Sequence, residues 1–149
     1  MPRSITATIV AMTTVMILAS TAEAAPSACN LVTKAEYKSI LHQSVRMTAG
    51  EGITSCNVFV GQSKYANIIP NINPYNAKYI KNMLAHTKNL RREPSLGPVG
   101  YSYTDKTGTT SYTERHGRFV AFQPGFFDGG FKASRAQMVA LAKKAYHRI

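Results

Sequence analysis

The chain has 149 residues, 44% of them apolar, and carries 18 Lys and Arg against 7 Asp and Glu, a formal charge of +11. That apolar share excludes a disordered polar chain, and the length suits one domain. The charge favours a soluble monomer and attraction to polyanions such as lipid headgroups, acidic envelope glycans or nucleic acid, although a basic exported protein needs no dedicated anionic partner.

Met1 to Arg3 make a short basic start, and Ile5 to Ala19 form an apolar and small-residue run. Ala22-Glu23-Ala24 then precedes Ala25. This is the three-part layout of a secretory signal peptide, too short and too lightly flanked for a membrane anchor. Cleavage after Ala24 leaves residues 25–149 as a single exported domain, periplasmic or extracellular, with no transmembrane segment. The charge is unchanged, because Arg3 and Glu23 leave together. Both cysteines, Cys29 and Cys56, lie in the exported part. An even count in an oxidising compartment predicts a disulfide, which on the chain-entropy account contributes about 3.5 kcal/mol.

Thr33-Lys34-Ala35-Glu36 is a capping box opening a helix that runs to about His42. Tyr37, Ile40 and Leu41 lie on one of its faces, with Lys34, Lys38 and His42 on another. Thr48 to Gly52 reads as a loop. Ser55 to Val60 and Tyr65 to Ile72 read as a hairpin about the turn Gly61 to Lys64, and Pro70 points to an edge strand or a bulge. Asn73 followed by Pro74 marks the start of a helix running to about Leu90, with Ile80, Met83, Leu84, Thr87 and Leu90 facing inward. On that helix Lys78, Lys81, Lys88 and Arg92 fall within about 80° of each other, joined by Arg91. Arg91 to Gly100, rich in Pro and Gly, reads as a loop.

Val99 to Thr104, Thr109 to Glu114 and Arg118 to Gln123 form a three-strand meander whose first turn is Asp105-Lys106-Thr107-Gly108. For the second turn, charge favours a three-residue loop, Arg115-His116-Gly117. That loop sets Glu114 opposite Arg118 and Tyr112 opposite Val120 and avoids facing Arg115 with Arg118. Phe126 to Gly130 is an aromatic and glycine loop, either an exposed apolar tip or a plug at the edge of the core. Ser134-Arg135-Ala136-Gln137 is a second capping box. Its helix turns Met138, Leu141, Ala142, Ala145 and Ile149 inward and Lys143, Lys144 and His147 outward. The class is therefore α+β: one antiparallel sheet of about five strands, a hairpin plus a meander, with three helices mainly on one face.

Cys29-Asn30-Leu31-Val32-Thr33-Lys34-Ala35-Glu36 resembles the opening C-x-L-[LV]-[ST]-x-x-E of small secreted bacterial single-disulfide domains of unknown function. Ser55-Cys56-Asn57, Ser95-Leu96-Gly97 and Leu141-Ala142-Lys143-Lys144-Ala145 are similar to their later segments. Such modules also occur as exported lipoproteins and sensor ectodomains. The resemblance implies no catalytic residue. Pro98 and Val99 stand where those domains carry an acidic residue.

No nucleotide fingerprint, nucleophile elbow or paired metal-ligand spacing occurs, so no cofactor or metal is expected. Glu114-Arg115-His116-Gly117-Arg118 holds the parts of a metal-free ribonuclease: a carboxylate base, an imidazole acid and two guanidiniums for the charged phosphorane. All of them crowd one hairpin tip, where solvated charge is the ordinary outcome. Two features suit binding. The basic stripe Lys78, Lys81, Lys88, Arg91 and Arg92 supplies attraction, and Tyr101, Tyr103 and Tyr112 of the meander offer rings for stacking. Solvated helix faces and strand propensity also produce such patterns. The expected function is an exported non-catalytic binding domain for an anionic envelope component or an acidic protein, with nucleic acid disfavoured. The alternatives are a secreted ribonuclease-like hydrolase at Glu114 and His116, or an inhibitor of another exported enzyme.

Overall fold

Both capping boxes form. A computed structural model describes residues 27–50, 52, 54–63, 65–125 and 131–149. The proposed signal peptide and the Phe126–Phe127 tip lie outside the described residues. Thr33 Oγ1 accepts from the Glu36 N–H, and the Glu36 carboxylate accepts from the Thr33 N–H at 2.9 Å, opening α1 (Lys34–Leu41). Ser134 and Gln137 repeat the exchange at the start of α3 (Arg135–Tyr146). Between them lie β1 (Val45–Ala49), β2 (Cys56–Val60), β3 (Asn67–Pro74), α2 (Ala77–His86), β4 (Arg91–Arg92), β5 (Tyr101–Asp105), β6 (Gly108–Arg115) and β7 (Arg118–Pro124). The disulfide joins Cys29 to Cys56 with a Cα–Cα distance of 5.1 Å.

The sheet is a single antiparallel one of seven strands in the order β1-β2-β3-β7-β6-β5-β4, two more than the pattern predicts. One addition is β1, which pairs along its whole length with β2, from Val45 opposite Val60 to Ala49 opposite Cys56, so Thr48 and Ala49 are strand rather than loop. The other is β4, whose two residues pair with Ser102 and Tyr101 inside the expected Arg91–Gly100 loop. β3 is central, not an edge strand. Pro70 offers no N–H, and the pairing with β2 lapses at Ile69 and Pro70 before resuming at the Ser55–Asn71 bridge. On the other side β3 pairs continuously with β7 over seven residues.

Alternation divides the sheet into two faces. Val58, Val60, Ile68, Ile72, Val120 and Phe122 point to the inner face, where α1 and α3 bury Tyr37, Leu41, Met138, Leu141 and Ala145 against them. Two buried hydroxyls of β6 tie down the elements above the inner face: Ser111 donates to the Met138 carbonyl of α3 at 2.9 Å, and Thr113 donates to the Leu96 carbonyl of the loop before β5 at 2.8 Å. Two helices therefore share the inner face, while α2 covers the outer one and packs on a second, smaller core.

The second meander turn corrects the charge argument. Arg115 pairs with Arg118 and Tyr112 with Ala121, so the loop has two residues, His116 and Gly117. Both have positive φ, 52° and 74°, as the tight hairpin turn that follows strand twist requires. A three-residue loop would shift β7 by one and turn the buried Val120 and Phe122 away from the inner core. Burying two such side chains is worth about 3–6 kcal/mol, far above the few tenths at stake between facing charges. Arg115 also swings away: it donates to the Tyr146 carbonyl at 3.2 Å and lies 5.2 Å from the centre of the Tyr146 ring.

Candidate functional site: the cleft beneath the second helix

α2 starts three residues later than Asn73 and Pro74 suggest, because both are held in β3. Asn76 is the cap, and its side chain accepts from the Tyr79 N–H at 3.0 Å. The helix ends at His86. Thr87 turns extended, with φ −86° and ψ 118°, and donates its hydroxyl to the Met83 carbonyl. Asn89 follows with φ 57°. Helical spacing then places Ile80, Met83 and Leu84 toward the sheet.

Beneath α2 the outer face carries a ladder of rings. Tyr103 stacks on Tyr112 at 6.0 Å between centroids, and Tyr112 on Phe119 at 5.4 Å. Tyr101 and Tyr103 share one face of β5, and the pairing of Tyr101 with Tyr112 brings the third ring onto that face. Burial, helped by the neighbouring Tyr103 phenol, pushes the Tyr112 hydroxyl far above its ordinary range and keeps it neutral.

Between α2 and the sheet lies an open cleft of about 490 Å³. Asn71 and Asn73 of β3 and Gln123 of β7 form its polar wall. Ile80 and Met83 of α2 form its apolar wall, Ala121, Tyr112 and Phe119 lie beside the amides on the sheet, and Tyr79 stands at the mouth. Asn73 and Gln123 are exposed, and Tyr79 is 64% exposed. Of these residues the sequence reading singled out Tyr112 as a ligand contact. Its missed signal is the polar phase of the strands: Asn67, Asn71 and Asn73 share one period-two phase, and Phe119 stands out as a large ring on the phase opposite to Val120 and Phe122. A broader hollow of about 620 Å³ runs along the exposed side of α2, but one helix alone walls it.

The basic stripe is not one helical face. Lys78 and Lys81 ride on the exposed side of α2, Lys88 falls in the turn after it, and Arg91 and Arg92 belong to β4. All five are exposed. Arg92 is engaged in the fold. It donates to the Gly97 and Gly100 carbonyls, each at 2.8 Å, and its guanidinium lies 5.2 Å from the centre of the Tyr101 ring. Lys78, Lys81 and Lys88 make no ion pair among the described residues.

The hairpin-tip cluster is spread out. Glu114 shares the outer face with Phe119, and its carboxylate accepts from the Gly117 N–H at 3.1 Å. Arg115 is tied to Tyr146, and His116 Nδ1 meets the Ile149 backbone oxygen at 3.1 Å. Each group is therefore bound to a different part of the backbone. No group of three or more His, Cys, Asp or Glu able to hold a metal occurs among the described residues. None of the described helices is long and apolar enough to cross a membrane.

A scan against protein-family models and searches of curated proteins and of solved structures each found no match to this chain.

Proposed function

We propose that this protein is an exported, non-catalytic binding domain that engages an anionic polymer of the cell envelope through Lys78 and Lys81 of α2, Lys88 of the turn after it and Arg91 of β4. The supporting observation is how its charges are committed. Each described side-chain carboxylate is used inside the fold. Glu36 is bound to Arg148 and Lys144, and Glu93 to Arg135 and Ser102. Asp105 caps the turn at Thr107 and Gly108, and Glu114 caps Gly117. Lys78, Lys81 and Lys88 have no such commitment among the described residues. The net charge of +11 thus leaves a cationic surface whose field reaches about 10 Å at 0.1 M salt, enough to draw in a polyanion.

The test is binding of the purified chain, residues 25–149, to isolated envelopes and to RNA across a salt series. Envelope binding should fall steeply with salt and weaken about tenfold when Lys78, Lys81, Lys88 and Arg91 are changed to Gln, at a few tenths of a kcal/mol per exposed charge. RNA should remain intact. No envelope binding at low salt, or binding indifferent to the four changes, refutes the reading. Loss of binding after protease treatment of the envelopes replaces the polymer with an acidic protein. RNA cleavage lost in Glu114→Gln and His116→Ala replaces binding with hydrolysis.

A further inference from the structure

The cleft beneath α2 differs chemically from the surface beside it, because none of its described lining residues is charged. Its polar wall consists of carboxamides. Asn71 and Asn73 sit two apart on the same phase of β3, and Gln123 comes from the paired strand β7. A carboxamide offers a donor and an acceptor together, which matches a ligand whose groups are both. Ile80 and Met83 of α2 supply apolar contact across the cleft, Ala121 adds a methyl beside Asn71 on the sheet, and the exposed Tyr79 ring stands at the mouth. Asn71 already donates to the Ile69 carbonyl at 3.3 Å, which leaves its oxygen and the exposed amides of Asn73 and Gln123 for a ligand; a purely apolar ligand would cover those groups without partners, and a charged one would meet no counter-charge in the lining. A sugar ring has hydroxyls at its edge and an apolar face of C–H groups. An acetamido substituent adds a methyl for the apolar wall and an amide for the polar one. The volume of about 490 Å³ falls within the usual range of small-ligand clefts.

We propose that this cleft binds an uncharged, N-acetylated sugar ring. The proposal rests on the envelope-binding reading only for the source of the sugar, and its chemistry does not involve the cationic surface.

The probe is tri-N-acetylchitotriose added to residues 25–149 labelled at the methionine methyl groups. Met83 lies in the cleft, whereas Met138 lies in the inner core and reports on folding. Met83 should shift saturably with a Kd below about 10 mM while Met138 stays put. Tyr79→Ala, Asn73→Ala and Gln123→Ala change exposed side chains, and each should weaken binding about three- to tenfold, as loss of one stacking or hydrogen-bonding partner does. Binding should be unchanged between about 0.1 and 0.5 M salt and in the Lys78, Lys81, Lys88 and Arg91 to Gln variant, so it can fail or succeed independently of envelope binding. A Met83 signal indifferent to the sugar overturns the proposal, as does affinity untouched by all three variants. Equal binding of maltotriose, which lacks the acetamido group, overturns the assignment of an N-acetylated ring.

Discussion

Replacing Glu36 tests how one carboxylate ties the two ends of the described fold together. Its oxygens accept from the Thr33 N–H and hydroxyl, each at 2.9 Å, and from both terminal nitrogens of Arg148, at 2.7 and 2.9 Å, with Lys144 at 3.5 Å. The Arg148 hydrogen bonds lead in holding the carboxyl near about 2, down from 4.5, with partial burial opposing and the Thr33 bonds helping. The side chain is 21% exposed, and solvent screening leaves the charge a contribution of about 1–2 kcal/mol. The capping box adds about 0.5–1 kcal/mol. Glu36→Gln keeps a capping oxygen and loses the charge, whereas Glu36→Ala loses both. Urea unfolding at pH 7 should therefore place Gln about 1–2 kcal/mol below wild type and Ala about 0.5–1 kcal/mol lower still. Because the folded carboxyl titrates below the unfolded one, its contribution is complete above pH 4.5 and fades as pH falls toward 2. The gap between wild type and Gln should shrink to less than about half by pH 3, while the gap between Gln and Ala should hold. A Gln variant within about 0.5 kcal/mol of wild type at pH 7, or a gap that ignores pH, refutes the assignment.

Cys29→Ser together with Cys56→Ser should lower stability by about 3.5 kcal/mol, and reductant added to wild type should reproduce the loss in the same urea titration. Gly97→Ala should cost about 1–3 kcal/mol, because the residue has φ 84° and its new Cβ would stand 2.7 Å from the Tyr146 ring; a thermal melt indistinguishable from wild type would contradict this. Phe119→Ala removes the end of the ring ladder and should cost about 3–5 kcal/mol. Because α2 rests on that smaller core, its amides should gain exchange rate ahead of those in α3, and uniform acceleration would refute a separate outer core.

Features specified within a few residues were legible in the sequence. The boxes at Thr33–Glu36 and Ser134–Gln137 need three-residue spacing only, and both formed. The turn at Asp105 formed likewise, its carboxylate accepting from Thr107 and Gly108. The inward faces of α1 and α3 follow from helical period, as does the common face of Tyr101 and Tyr103 from strand period, whereas Tyr112 joins that face only through the β5–β6 register. Errors came where distant partners decide. Arg91 and Arg92 look like loop until β5 lies beside them, and Pro70 looks like an edge until β7 supplies a full ladder on the side that needs no proline N–H. The cationic stripe fell apart for the same reason: its helical geometry ran to Arg92, six residues past His86, where Thr87 and Asn89 end the helix.

The sequence by itself determined the disulfide-bearing α+β class, the caps that open α1 and α3, and which residues of each element are apolar, since caps and periodicity act through neighbours along the chain. Only the tertiary structure decided that β3 is central, that Arg115 faces Arg118, and that α2, unlike α1 and α3, crosses to the outer face and leaves a cleft over Tyr112 and Phe119. Those choices are set by which strands bury which phase of side chains together, and a burial worth several kcal/mol overrides local preferences worth tenths.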